Sequence, residues 1–287
     1  MTGLVIVNPS SGPDAGAVEV VAEHFVGHEV VEAGSDAIAA LTRLGVESGA
    51  TFVAMAGGDG SIRCAASVLA GTGVPLVPVP TGTRNHFARE LGIDTVAAAA
   101  AALAGRRRLV DLAEVNGHHF VNNSSIGFYA ALVRERDHHE RRLPSWLANV
   151  SAAWAQVRRG HRFRVTVGQR RYRAWLVFVG NGCYGEGLTD LMNRQALDQA
   201  VLDVRVLRAD AALARTRTVL ALLVGRLGRS SLLVQEQEAE VDIAMQATVE
   251  VALDGEVVRL SSPLRYRSLP GALTVLVPSE ADAKVGA

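Results

Sequence analysis

Apolar residues fall along this chain in two rhythms. From residue 4 to 104, short unbroken apolar runs (Leu4 to Val7, Thr51 to Ala56, Val74 to Val79) alternate with helical patterns, the first from about Ala15. Unbroken runs separated by helices are the sequence form of a parallel sheet covered on both faces. Directly after the glycines at 57 to 60, Ile62, Ala65, Ala66 and Leu69 recur at i, i+3, i+4 and i+7, which predicts one buried helical stripe. From Leu109 the rhythm changes to strands joined by tight turns. Asn116-Gly117 separates Leu112 to Val115 from His119 to Asn122, and Gly168 to Arg171 separates two more. Further strands are predicted at Val201 to Leu207, Ala239 to Ala244, Thr248 to Leu253, Glu256 to Leu260 and 270 to 278.

The fold expected is therefore α/β plus β: an N-terminal doubly wound α/β domain over 1–107 and a C-terminal, mainly antiparallel β domain over 108–269. Residues 270–287 are open to returning to the first domain. The boundary is expected near Arg106 to Arg108, where an alanine-rich helix ends in glycine and arginines.

Composition narrows the chemistry. Lys284 is the one lysine and the other 28 basic residues are arginines, so Walker-A, protein-kinase and Schiff-base mechanisms lack an ammonium at an ordered position. Phosphate chemistry here has to use backbone amides, arginine and metal. Formal net charge is +0, which gives no global field to recruit nucleic acid. Cys64 and Cys183 match no zinc spacing, and Thr2 runs into Leu4 to Val7 without a basic leader, so a reduced cytoplasmic protein is expected. Neither Val96 to Ala104 nor Val219 to Val224 approaches the roughly 18 apolar residues of a membrane span.

Three turns follow apolar strands. Gly57-Gly58-Asp59-Gly60-Ser61 opens a helix, where glycines let backbone amides approach an anion at the positive helix end. Asp59 would repel a bare phosphate unless magnesium lies between them or another polar group takes it. Pro80-Thr81-Gly82-Thr83-Arg84-Asn85 opens the short helix His86 to Leu91, and Asn8-Pro9-Ser10-Ser11-Gly12 follows the first strand. Loops at the carboxyl ends of neighbouring parallel strands line one crevice, where ligands bind. Arg84 and Arg89 have better claims to a phosphate than His86, given the missing lysines.

These residues resemble the diacylglycerol kinase catalytic family, which is related to sphingosine kinases and more distantly to NAD kinases. The carriers are Val7-Asn8-Pro9 with Gly12, the GGDG turn at 57 to 60, Pro80-x-Gly82-Thr83-x-Asn85-x-Phe87-Ala88-Arg89-x-Leu91-Gly92, Asn123-Ser124-Ser125-Ile126-Gly127 and Leu253-Asp254-Gly255-Glu256. The resemblance implies ATP in a cleft between an α/β and a β-sandwich domain, with Mg²⁺ assisting transfer to the hydroxyl of diacylglycerol or a similar membrane lipid. It implies that Asn8, Pro9, Ser10, Gly12, Gly57, Gly58, Asp59, Gly60, Ser61, Thr81, Gly82, Thr83 and Asn85 hold the nucleotide. Asp254 would orient or deprotonate the acceptor, and Glu256, Asp59 and Asp198 would hold metal. Without the family, Asp254-Gly255 reads as a hairpin turn and Glu256 as a solvated strand residue.

The chain departs from the family pattern where Ser61, Arg63 and Cys64 replace threonine, asparagine and glutamate. The stretch Leu197 to Asp203 matches an aspartate-rich, metal-linked segment without its glycine, with Asp198 as the best match. Two other functions stay open: an NAD kinase-like phosphotransferase on a soluble nucleotide, and a non-catalytic nucleotide-binding regulator. Between Arg134 and Arg173, eleven arginines face three acids around Trp146, Leu147, Val150, Trp154 and Val157 at helical spacing. A basic, Trp-bearing helix over 141–164 either lies on the inner membrane face or packs on its own domain. A homodimer also stays open.

Overall fold

In the computed structural model, which describes residues 3–11, 16–127, 162–185, 194, 196–210, 230–246 and 248–279, the chain divides into two units. The first comprises Met1–Leu112 and Leu269–Ala287, the second Ala113–Ser268. Gly12 and all of 141–164 before Arg162 lie outside the described residues.

In the first unit, β1 (Leu4–Val7), β2 (Glu29–Glu32), β3 (Val53–Gly57), β4 (Leu76–Pro80) and the end of β15 (Leu264–Val277) form a parallel sheet in the order β2-β1-β3-β4-β15. Every residue of β1 and β3 is buried, as a parallel sheet covered on both faces requires. Two helix pairs supply that cover: α2 (Ile38–Glu47) packs on α3 (Asp59–Leu69), and α1 (Ala17–His24) on α5 (Val96–Ala101). The stripe predicted on α3 is the buried one, Ile62, Ala65, Ala66 and Leu69. Strand β2 had no apolar run to announce it. At the sheet edge it needs only Val30 and Val31 half-buried between exposed Glu29 and Glu32.

Arg106 to Arg108 are the first residues of a long strand, β5 (Arg106–Val115). Gly105, just before it, has no room for a side chain, because a Cβ there would lie 2.0 Å from the Val277 carbonyl oxygen.

The second unit is antiparallel. β13 (Thr248–Leu253) lies between β14 (Glu256–Ser261) and β7 (Asn123–Gly127), and β7 pairs in turn with β9 (Arg170–Asn181). β9 also pairs with β8 (Phe163–Val167) and β10 (Leu202–Arg208), β10 with β11 (Leu233–Glu238), and β8 with β12 (Glu240–Ala244). β6 (His118–Phe120) folds back on β5. The Asn116-Gly117 turn has φ of 47° and 83°, and Asp254-Gly255 has 48° and 92°, the paired positive values of a two-residue type I′ hairpin. Alternate residues of these strands, among them Phe120, Ile126, Val177, Val204, Ile243, Val251 and Tyr266, share one core. Among the described residues no helix is long and apolar enough to cross a membrane.

Candidate active site

The GGDG turn is scarcely a loop. Gly57 ends β3, Gly58 is the N-cap of α3, and Asp59 already lies in its first turn. A Cβ on Gly57 would come 2.6 Å from the Ser61 Cβ, so the strand can pass this tightly into the helix only with glycine there. Gly58 has no side chain to cap the helix, which leaves the first-turn amides of α3 to a ligand or water.

Asp59 does not face those amides. Its Oδ2 and Oδ1 accept the backbone N–H groups of His86 and Phe87, each at 3.2 Å, which are the first amides of α4 (His86–Glu90). The carboxylate thus caps the neighbouring helix and ties the two glycine turns together. Of the two anion-competent helix ends anticipated, the one on α4 is already taken by a carboxylate, and the one on α3 is open. The turns also touch. A Cβ on Gly82 would lie 2.5 Å from the Gly58 Cα and 2.9 Å from the Asn85 Oδ1.

Asn85 closes the second turn on itself. It adopts φ 51°, its Oδ1 accepts the Gly82 N–H at 3.0 Å, and its Nδ2 donates to the Gly82 carbonyl at 2.7 Å. The first turn is pinned similarly. Buried Asn8 donates from Nδ2 to Ser61 Oγ at 2.9 Å and to Ser35 Oγ at 3.3 Å, while its Oδ1 accepts the Ser10 N–H. Ser11 Oγ lies 3.4 Å from Ser61 Oγ. The Ser61 hydroxyl therefore serves to join β1 to α3. Pro80, Thr81, Gly82 and Thr83 line a cavity of about 480 Å³ with Gly16, Ala17, Val20 and Val96, and the buried Thr81 Oγ1 has no hydrogen-bond partner there. That volume lies within the range of small-molecule sites.

In the second unit Asp254 is a clamp. Its Oδ2 accepts the Val121 N–H at 2.8 Å, and its Oδ1 accepts the N–H groups of Asn122 at 2.8 Å and Asn123 at 2.9 Å. The carbonyl side of the same segment is saturated by side chains. Val121 O accepts from Arg194 Nη1 at 2.6 Å and Asn181 Nδ2 at 3.0 Å, and Asn122 O accepts the Tyr184 hydroxyl at 2.8 Å. Glu256 is exposed and faces Leu253 across the closing pair of the hairpin.

Comparisons with known proteins show the family and the fold. The family model described as "Diacylglycerol kinase catalytic domain" matches residues 2–115, and "YegS C-terminal NAD kinase beta sandwich-like domain" matches residues 124–277. A "Probable lipid kinase YegS-like" protein of Pseudomonas fluorescens is 30% identical over 264 residues, 86% of this chain and 84% of its own. Its counterpart in Pseudomonas aeruginosa is 32% identical over 237 residues, 80% of this chain and 77% of its own. The chain belongs to the diacylglycerol kinase catalytic family. The fold agrees as well: a diacylglycerol kinase crystal structure from Bacillus anthracis superposes with a TM-score of 0.67 at 21% identity, covering 96% of both chains. Another structure from the same organism reaches 0.73 at 22%, covering 96% of both.

Family membership makes magnesium a fair question for these residues. Among the described residues no group of three or more His, Cys, Asp or Glu could hold a metal ion. Mg²⁺ is usually held by one or two carboxylates, substrate phosphates and waters, so the acids present fit a substrate-borne ion and not a protein cage. Asp59 accepts one amide N–H on each oxygen, which leaves each a second acceptor position. Asp198 fits less well. It is exposed, and the buried carboxylate of its segment is Asp203, which is taken by Arg205 at 2.9 and 2.6 Å and by the Tyr184 N–H at 2.9 Å. Arg205 also donates to the Tyr184 and Gly185 carbonyls. The buried carboxylate of this segment is thus engaged by a guanidinium.

Arg194, Asp203, Arg205, Asn181 and Tyr184 were missed in the sequence. Asp203 and Arg205 did leave a signal, two opposite charges at i and i+2 inside an apolar strand; Arg194 left none. A larger recess of about 750 Å³ in the second unit contains none of the anticipated residues. Burial alone would raise the carboxyl of Glu114 on its wall, but Arg267 and the Gly117 N–H bring it below its ordinary value.

Proposed function

We propose that the chain is an ATP-dependent lipid kinase that phosphorylates the hydroxyl of diacylglycerol or a similar membrane lipid. The observation that carries this reading is the uncapped N-terminus of α3, locked by Asn8, Ser61 and Asp59 beside the cavity at Thr81 to Thr83. Its first-turn amides suit the nucleotide's phosphates, with Asn8, Ser10, Gly57, Gly58, Gly60 and Ser61 shaping the approach. Thr81, Gly82, Thr83 and Asn85 suit the nucleoside side. Bound magnesium would supply charge neutralisation at the transferring phosphoryl group, with Asp59 as the carboxylate of the first unit that would hold it or its waters.

Asp254 orients the acceptor. Three backbone N–H donors hold its two carboxylate oxygens in one fixed orientation. Phosphoryl transfer through a loose transition state relies mainly on positioning, so a fixed acceptor for the hydroxyl proton is what the step needs.

The test is labelled ATP and Mg²⁺ with diacylglycerol, a sphingoid base, a polyprenol and NAD. Label in the lipids supports the reading; label in NAD alone overturns it in favour of the NAD kinase-like alternative. Asp254→Asn is expected to cut turnover by about 10² to 10⁴ while nucleotide binding persists. Near-normal turnover removes Asp254 from the mechanism.

A further inference from the structure

We infer that Arg194 is a positioning residue for Asp254, acting through the peptide bond between Val121 and Asn122. The inference rests on the reading that Asp254 orients the acceptor. The carbonyl of that peptide accepts Arg194 Nη1 at 2.6 Å, and its N–H, which belongs to Asn122, donates to Asp254 Oδ1 at 2.8 Å. One rigid peptide is thereby held between a buried cation and a carboxylate, with its dipole aligned from one to the other. Charge-assisted bonds are the stronger ones, and bonds in a chain polarise each other, so a guanidinium on the carbonyl strengthens the N–H as a donor to Asp254.

The surroundings are built for this arginine. Its side chain is 9% exposed, and its Nη1 also donates to the Asn181 carbonyl at 3.1 Å. Arg194 forms an isolated antiparallel bridge with Tyr184, whose hydroxyl saturates the next carbonyl, that of Asn122. The stem lies over Gly182, where φ is 84° and a Cβ would lie 2.9 Å from the Ala196 carbonyl oxygen and 3.1 Å from the Arg194 Cδ. The N–H of the adjacent peptide, from Asn123, also ends on Asp254 Oδ1. Both peptides that grip this oxygen are thus polarised from the far side by buried side chains from the stretch 181–194.

Arginine matters here because its charge stays fixed and one rigidly held nitrogen, Nη1, reaches two carbonyls at once. Glutamine would keep a donor but lose the charge; lysine would keep the charge on a more flexible stem. Loss of the charge should therefore loosen Asp254 without touching the nucleotide-binding turns, which belong to the other unit. That outcome separates positioning from a general loss of structure.

The test combines steady-state kinetics with selective ¹⁵N-asparagine labelling of Arg194→Gln and Arg194→Lys in the full chain. In Arg194→Gln the Asn122 amide proton should move upfield, and kcat should fall about tenfold, the scale expected when a catalytic group is slightly misplaced. KM for ATP should stay within about twofold, and Arg194→Lys should recover most of kcat. An Asn122 resonance that stays in place, or an undiminished kcat, overturns the proposal even if thermal stability drops. Where Arg194→Gln fails to fold, Arg194→Lys decides: part-way displacement of both readouts supports the proposal, and no displacement of either one overturns it. If the wild-type chain phosphorylates no acceptor, the proposed function fails, and the Asn122 resonance alone then decides whether Arg194 polarises the peptide.

Discussion

Asn85 illustrates what one residue does here. Its φ of 51° is a conformation that asparagine tolerates and most residues do not, and both ends of its amide bond the Gly82 backbone. Asn85→Ala should lose both bonds and keep the strain, costing roughly 2–4 kcal/mol, measurable by urea unfolding. Asn8 plays the equivalent part for the first turn, and in both cases the motif residue shapes the backbone that a ligand would meet. Cys183 gives a pH-dependent check. Burial, and after it the Asp203 charge, push its thiol above the ordinary value. Because the thiolate is the nucleophile, a raised pKa means less of it at any pH below that point. Alkylation of Cys183 at pH 8, followed by peptide mapping, should run slower than that of a small free thiol and accelerate as pH rises past 9.

Among the elements, the meeting of α3 with the turn before α4 decides most. Asp59 leaves its own helix to cap α4, and Gly82 lies so close to Gly58 that no Cβ fits on Gly82. Gly82→Ala forces one turn to move. It should cost about 1–3 kcal/mol in stability, the range for overpacking, and weaken Mg·ATP binding by roughly tenfold as the α3 amides lose their alignment. Calorimetric titration and thermal unfolding measure the two effects; unchanged affinity would show that the contact does not shape the nucleotide site. The sequence showed that glycines stand at both turns. It did not show that they touch, because nothing in either motif states the distance between two glycines 24 residues apart.

For the whole molecule, the first unit is discontinuous in sequence. It regains Leu269–Ala287 after the second unit is complete, and Val275 of β15 pairs with Leu76 of β4. Removing the chain from 269 onward exposes the β4 edge and deletes the buried Leu273, Val275, Leu276 and Val277. At ~1.5–3 kcal/mol per side chain this removes about 6–12 kcal/mol, comparable to the net stability of a domain. The truncated chain should lack a cooperative unfolding transition by circular dichroism. A cooperative transition at the wild-type temperature would show that the returning strand contributes nothing.

What the sequence determined by itself is what depends on neighbours along the chain. The buried runs of β1 and β3, the α3 stripe, the type I′ turns at Asn116-Gly117 and Asp254-Gly255 and the glycine turns are local choices of burial period and backbone conformation, written residue by residue. Edge strand β2, half-exposed and ended by glutamates, lay at the limit of that reasoning. Tertiary structure alone decided which groups meet. It turned Asp59 toward α4 and set Arg194 and Asp254 on opposite sides of one peptide. Hydrogen bonds between residues tens to more than a hundred positions apart follow from how strands pair and loops fold back, and no local pattern encodes their partners.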